Sequence, residues 1–226
     1  MDVGEWSTSR LGVAQTDTSG TLMLGGTYQQ NGIGIRAWYS EFSDLFTSWY
    51  LQGDYTLSSS GSVNPFVSGH IIRQNETGDE LLGRVDSNVY GLKGGVLVGQ
   101  AELSLGYTNI EENSDAFKNG AFLAPYNFST SPLYSNSMLM NMENNDAGEG
   151  IKLTFVYDFP TVKLKISHAH LDFDVIPDLD ATDVDVTYSM DQYVKGLSLR
   201  YRVEVVNSDS DAVEQSDNRF QLQYVF

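Results

Sequence analysis

Two arginines stand two residues apart in "GLSLRYRVEV" (196–205), at Arg200 and Arg202, and a third, Arg219, begins the last amphipathic stretch, "NRFQLQYVF" (218–226). A spacing of two puts Arg200 and Arg202 on one face of a strand. A guanidinium is always charged and grips oxyanions through a planar fork. Three of them concentrated on one wall are not fully neutralised by pairing, and they offer a surface to charged solutes. Arg36, Lys93, Lys152, Lys163 and Lys165 fall on the same polar faces, together with the acids Asp54, Glu102, Asp158, Asp183, Asp185 and Glu204. Around one wide passage, charges of both signs build a transverse field that orients zwitterions and charged solutes. Paired off across neighbouring strands, they only neutralise one another.

Other candidate chemistry is thinner. "HAHLDFD" (168–174) sets His168, His170, Asp172 and Asp174 at alternate positions. Two histidines so spaced can share a metal, but no third ligand is fixed, and no metal or cofactor is assigned. The apolar set also changes parity there, from Val162, Leu164 and Ile166 to Ala169, Leu171 and Phe173, which predicts a β-bulge or a strand leaving the membrane. "DLDATDVD" (178–185) is acidic enough for calcium, yet it lacks the glycine and closing glutamate of the Asp-rich calcium loop. The three histidines, His70, His168 and His170, sit in no serine nucleophile motif. Ser68 and His70 merely share a strand face, and no catalytic residue is assigned. With no cysteine, there is neither a disulfide framework nor a thiol nucleophile.

The elements that carry these residues are strands. "IKLTFVYDF" alternates Ile151, Leu153, Phe155, Tyr157 and Phe159 against Lys152, Thr154, Val156 and Asp158. The same period recurs in "AELSLGY" and "TDVDVTYSM", and helical spacing is hard to find anywhere. The pattern predicts an all-β chain of about twelve strands, near 8–15, 20–30, 32–42, 45–58, 63–74, 85–98, 100–110, 148–159, 161–173, 182–191, 195–207 and 218–226. Ten residues at about 3.3 Å each, tilted near 40°, rise about 25 Å, the height of an outer-membrane apolar band. The connections alternate tight and long, with long ones near 75–84, 111–147, 174–181 and 208–217 and one short exception on the long side at 43–46, the asymmetry of a transmembrane barrel. With the C-terminus periplasmic, Tyr28, Tyr55, Tyr157, Phe159, Tyr188, Tyr224 and Phe226 cluster at the lower end of the outward face, where amphipathic rings favour the interface. A soluble β-sandwich binding module also alternates, but it leaves the strand length, the loop asymmetry and the charged polar face unexplained. A barrel enzyme is the remaining alternative, and it lacks a nucleophile motif.

Composition excludes several classes. The 226 residues hold 13 Lys+Arg against 30 Asp+Glu, a formal charge of −17. A chain so acidic does not suit nucleic acid or a polybasic membrane-surface role. The longest uncharged run, 119–142, is broken by Asn, Ser, Gly and two prolines, and no spanning helix is expected. No secretory leader follows Met1, so a cytosolic product or a mature or truncated chain is expected.

The sequence resembles the OprD-type substrate-specific porins of Gram-negative outer membranes. The likeness runs through "IRAWYSEFSDLFTSWYLQGDYTL" (35–57), "GHIIRQNETGDELLGRVDSNVYGLKGG" (69–95), "GAFLAPYNFSTSPLYSNSMLMN" (120–141) and "GLSLRYRVEVVN" (196–207). It implies an antiparallel up-and-down transmembrane barrel of eighteen strands, of which this chain would hold the last twelve. The implied activity is passive diffusion of small polar solutes such as carboxylates or amino acids. The likeness also implies the bacterial outer membrane as the location, lipid and lipopolysaccharide as surroundings, and a weak homotrimer. It makes 111–147 an extracellular loop that folds inward and narrows the pore. Arg200, Arg202 and Arg219 match the family's basic ladder, whereas Arg36 and Lys93 are assigned from their face alone. Phe220, Leu222, Tyr224 and Phe226 resemble the terminal signal that the barrel assembly machinery recognises.

Overall fold

The computed structural model describes residues 20–57, 61–124, 132–138, 140–208 and 215–225. They form one eleven-stranded antiparallel sheet in which every strand pairs with its neighbours in sequence. The strands are β1 (Thr21–Gln30), β2 (Ile33–Phe42), β3 (Phe46–Thr56), β4 (Val63–Glu76), β5 (Asp86–Val98), β6 (Ala101–Ile110), β7 (Gly148–Asp158), β8 (Val162–Phe173), β9 (Leu179–Ser189), β10 (Leu197–Ser208) and β11 (Gln215–Tyr224). Eleven of the twelve expected strands are therefore present, and the first, 8–15, lies outside the described residues, as does Phe226. No helix among the described residues is long and apolar enough to cross a membrane, which says nothing of a β-barrel.

Up-and-down order follows from short links. β1 and β2 join through Asn31 and Gly32, both at positive φ (51° and 81°), the two-residue turn whose twist matches its strands. The expected alternation of long and short links holds only in part. The links at 77–85 and 111–147 are long and the one at 43–45 is short, as expected, but 174–178 is nearly as tight as the links at the opposite end. β9 and β11 begin three residues earlier than the alternation suggested, which shortens two of the expected loops.

The register fixes two faces. The outer face carries Leu22, Leu24, Ile33, Ile35, Leu51, Val67, Ile71, Leu92, Leu103, Leu105, Ile151, Leu153, Ile166, Leu199 and Leu222, all exposed. Tyr28, Tyr55, Tyr157, Tyr188 and Tyr224 share this face at one end, with the Tyr157 and Phe159 rings 4.4 Å apart. Exposed apolar side chains over so many strands suit hydrocarbon, not water.

The inner face changes character with height. Its lower half is polar and partly open. In its upper half Ile72, Val89, Ile110, Leu171 and Phe173 are buried against Phe122, Leu133 and Met142 of the 111–147 connection. A second cluster joins Phe42, Leu45, Phe46, Leu82 and Val85 to Leu123. This packing explains the parity change at His168. β7 and β8 pair without interruption from Gly148↔Phe173 to Asp158↔Lys163, so there is no bulge. Higher up, the inner side chains meet protein and the outer ones leave the apolar belt, so the apolar residues move from the outer face to the inner one.

Candidate functional site

The described residues of the 111–147 connection lie across the inner face from β4 to β10, and they are held at several points. Near its start, the Gln74 side chain on β4 clamps Leu123, donating to its carbonyl and accepting from its N–H, both at 2.8 Å. Gln74 is buried, so the paired amide leaves neither group unsatisfied. Asn144 holds Ala124 in the same two-way fashion, at 2.9 Å each.

Residues 132–138 and 140–142 lie in a trough made by glycines. A Cβ at Gly106 would stand 2.8 Å from the Tyr134 carbonyl oxygen, and one at Gly150 would stand 2.5 Å from Ser135 Oγ and 2.8 Å from Met142 Sδ. Thr108, on β6 between them in the trough, accepts from the Tyr134 and Ser135 N–H groups at 3.1 and 3.3 Å. Lys152 on β7 donates to the Asn136 carbonyl. On β10 the Glu204 carboxylate accepts from the Ser137 hydroxyl and, at 3.4 Å, from the Met140 N–H. On β9 Asp183 accepts from the Met138 N–H at 3.4 Å and from Ser167 of β8 at 3.0 Å.

The charged residues named from sequence all lie on this inner face. Their partners differ. Arg200 makes a forked contact with Asp185, and Arg219 pairs with Asp217. Lys93 reaches Glu102 at 3.2 Å and Lys163 reaches Asp158 at 3.4 Å. Arg202 sits between Arg200 and Arg219 and makes no ion pair among the described residues, and its Nε is buried without a hydrogen-bond partner. The expected three-arginine wall is thus two paired guanidiniums flanking one unpaired one. Arg202, Arg200, Lys165, Asp183 and Asp185 line a cleft of about 150 Å³, roofed by Ser137 and Met138. Asp183 and Glu204 are buried beneath the crossing segment.

Arg36 and Asp54 lie towards β1. Arg36 is exposed and borders a recess of about 350 Å³ whose lining includes Trp38, Tyr50, Phe122 and Leu123. Asp54 accepts from Gln52 at 2.6 Å and from the Ser68 hydroxyl. Ser68 therefore turns to Asp54 and not to His70. His70 is buried with no hydrogen-bond partner for either ring nitrogen among the described residues, its ring 4.5 Å from that of Tyr134. No relay of serine, histidine and acid joins these groups. His168 and His170 point outwards, towards one Asp180 oxygen at 3.6 and 3.0 Å. Among the described residues no group of three His, Cys, Asp or Glu is arranged to hold a metal.

Sequence reasoning missed the holds on the crossing segment: Gln74, Thr108, Lys152 and the Tyr134–His70 contact. A signal was available. Gly91, Gly106 and Gly150 recur on the inner face of three neighbouring strands, and glycine within a strand often marks the close approach of another group.

Comparison with known proteins gives one answer. The model of the outer membrane porin, OprD family, matches residues 5–226. No curated protein matches the chain. The fold is similar to that of Acinetobacter baumannii OccAB3, with a TM-score of 0.79 and 19% identity over 100% of this chain and 60% of that one. Pseudomonas aeruginosa OccK2 (OpdF), solved in complex with glucuronate, gives 0.75 and 16% over 92% and 59%. Pseudomonas aeruginosa OprD gives 0.75 and 15% over 92% and 60%. The chain spans about 60% of the length of these solved barrels. It belongs to the OprD family of outer membrane porins.

Proposed function

We propose that the protein contributes the conducting wall and the constriction of a passive channel for small polar solutes, carboxylates foremost, in a bacterial outer membrane. Arg202 carries the reading. It is an inner-face guanidinium with no ion pair among the described residues, in a cleft beneath the 111–147 segment, beside Lys165. A passing carboxylate gains a charge-assisted contact there without first displacing a protein acid. Arg200 and Arg219 extend the basic ladder on either side, and Lys93 and Arg36 continue it towards β1. Glu102, Asp185 and Asp54 supply the opposite sign, so the passage orients solutes that carry both charges. The glucuronate bound to OccK2 is a carboxylate of the expected size class.

Segment 111–147 sets the bore, because it crosses the inner face and is held at several points. A barrel around this passage closes only with strands beyond the eleven described. Among the described residues β1 and β11 each keep one unpaired edge, and hydrocarbon satisfies none of those backbone groups. Phe220, Leu222 and Tyr224 present an alternating apolar edge to the assembly machinery, with Phe226 as its end. Lipid and lipopolysaccharide surround the outer face, and a weak homotrimer is the expected assembly.

Reversal potentials and solute uptake of the complete barrel in planar bilayers and liposomes test the reading. Arg200→Ala with Arg202→Ala should reduce both anion preference and carboxylate uptake. Unchanged selectivity and uptake would overturn it.

A further inference from the structure

Glu204 and Asp183 look, from sequence, like members of the lumenal charge field. Their surroundings argue for another role. Glu204 is fully buried and Asp183 nearly so, and neither carboxylate offers a passing solute much surface to touch. Both instead accept hydrogen bonds from the crossing segment. Glu204 Oε1 receives the Ser137 hydroxyl and the Met140 N–H, and Asp183 Oδ1 receives the Met138 N–H. Ser137 also closes a local loop: its oxygen accepts from the Met140 N–H at 3.0 Å while its single proton goes to Glu204. One hydroxyl therefore couples the shape of the tip to its seat on the wall.

The rest of the segment is held by Gln74, Thr108 and Lys152 on β4, β6 and β7. Over β9 and β10, among the described residues, hydrogen bonds to the two acids fasten its far side. That side carries Ser137 and Met138, the roof of the Arg202 cleft.

We propose that Glu204 and Asp183 are specificity-determining positioning residues. They latch the tip of the 111–147 segment across the basic wall and so set the width of the cleft in which Arg202 meets solutes. The inference rests on reading that segment as the constriction. Its mechanism depends on acceptor oxygens, not on negative charge. Loss of the Glu204 acceptor removes two hydrogen bonds, and the tip then spends about tenfold more time off the wall.

Substitutions at these sites separate charge from acceptor. Glu204→Gln removes the charge and keeps a carbonyl oxygen for Ser137 and Met140. Glu204→Ala removes both, and Ser137→Ala leaves every wall charge intact. Single-channel recordings of the complete barrel should show Glu204→Gln close to the parent. Glu204→Ala and Ser137→Ala should both flicker, with a raised mean conductance and weaker discrimination between small and bulky carboxylates. The double alanine variant should add little to either single one. If Glu204→Gln and Glu204→Ala instead shift ion selectivity equally and both remain quiet, Glu204 is a field residue and the latch is overturned. Heat-modifiable mobility in detergent confirms that each variant folds. Replacing 132–142 by a short glycine linker tests the underlying reading separately. An unchanged conductance there removes the constriction itself. A raised conductance there, with a quiet Glu204→Ala channel, removes only the latch.

Discussion

Arg202 on β10 and Arg219 on β11 are register partners, and of the two only Arg219 makes an ion pair among the described residues, with Asp217. The same asymmetry runs along β10, where Arg200 is forked onto Asp185 and Arg202 is not paired. The electrostatic weight of this wall thus depends on which acids are occupied. Arg202→Ala is expected to lower anion-over-cation permeability by a factor of about two to five, more at low salt, where screening is weaker. Asp185→Asn is expected to act in the opposite sense, because it frees Arg200. Reversal potentials in a salt gradient measure both, and shifts of the same sign would contradict the pairing.

Much of this arrangement was legible in the sequence. Alternation in "IKLTFVYDF" and "GLSLRYRVEV" assigned each charge to its face, because a period of two leaves a strand residue only two directions. The sequence could not tell which charges meet. Arg200 reaches diagonally past its register partner Thr187 to Asp185, which lies directly opposite Arg202, so even the β9–β10 register does not name the pair. The simple rule of a polar inside also failed over the upper half, where Leu171 and Phe173 face inwards. A rule that assigns lipid to one side and water to the other has no place for a loop packed inside the barrel.

Gly150 tests the seat of that loop. Its missing side chain leaves room for Ser135 Oγ and Met142 Sδ. Gly150→Val is expected to lift residues 132–142 from the wall at a cost of about 1–3 kcal/mol to their docking, the usual range for overpacking. The barrel strands remain paired. Limited proteolysis should therefore cut within the segment while heat-modifiable mobility persists.

The turn after β9 carries its own titrating group. Asp191 is exposed and accepts from the Ser189 hydroxyl at 2.6 Å and from the Gly196 N–H at 2.7 Å. The Ser189 hydrogen bond foremost, then the Gly196 N–H, holds its carboxyl below the ordinary aspartate value. With a lowered folded value, its support of the turn is fully present above about pH 3.9. That support fades as the pH falls through the lower folded value. Carboxyl carbon shifts in detergent micelles should titrate with a midpoint below that of a free aspartate, and Ser189→Ala should move the midpoint upwards.

His70 supplies the sharpest contrast between chemistry and packing. It is 3% exposed, and neither ring nitrogen has a partner among the described residues. Its ring lies 4.5 Å from Tyr134 and 6.1 Å from Tyr50, and a side chain at Gly91 would strike it. Every contact is one that a flat apolar ring could also make. His70→Phe is therefore expected to fold, to conduct like the parent, and to change stability by less than about 1.5 kcal/mol, since the swap roughly conserves volume. His70→Ala removes the ring under Tyr134 and should cost about 2–4 kcal/mol, as a cavity opens at a site the strands cannot collapse into. Thermal unfolding in detergent ranks the three proteins. A His70→Phe variant as damaged as His70→Ala would show that the imidazole is needed for its nitrogens, and the ring would then have to be treated as part of the channel's polar machinery.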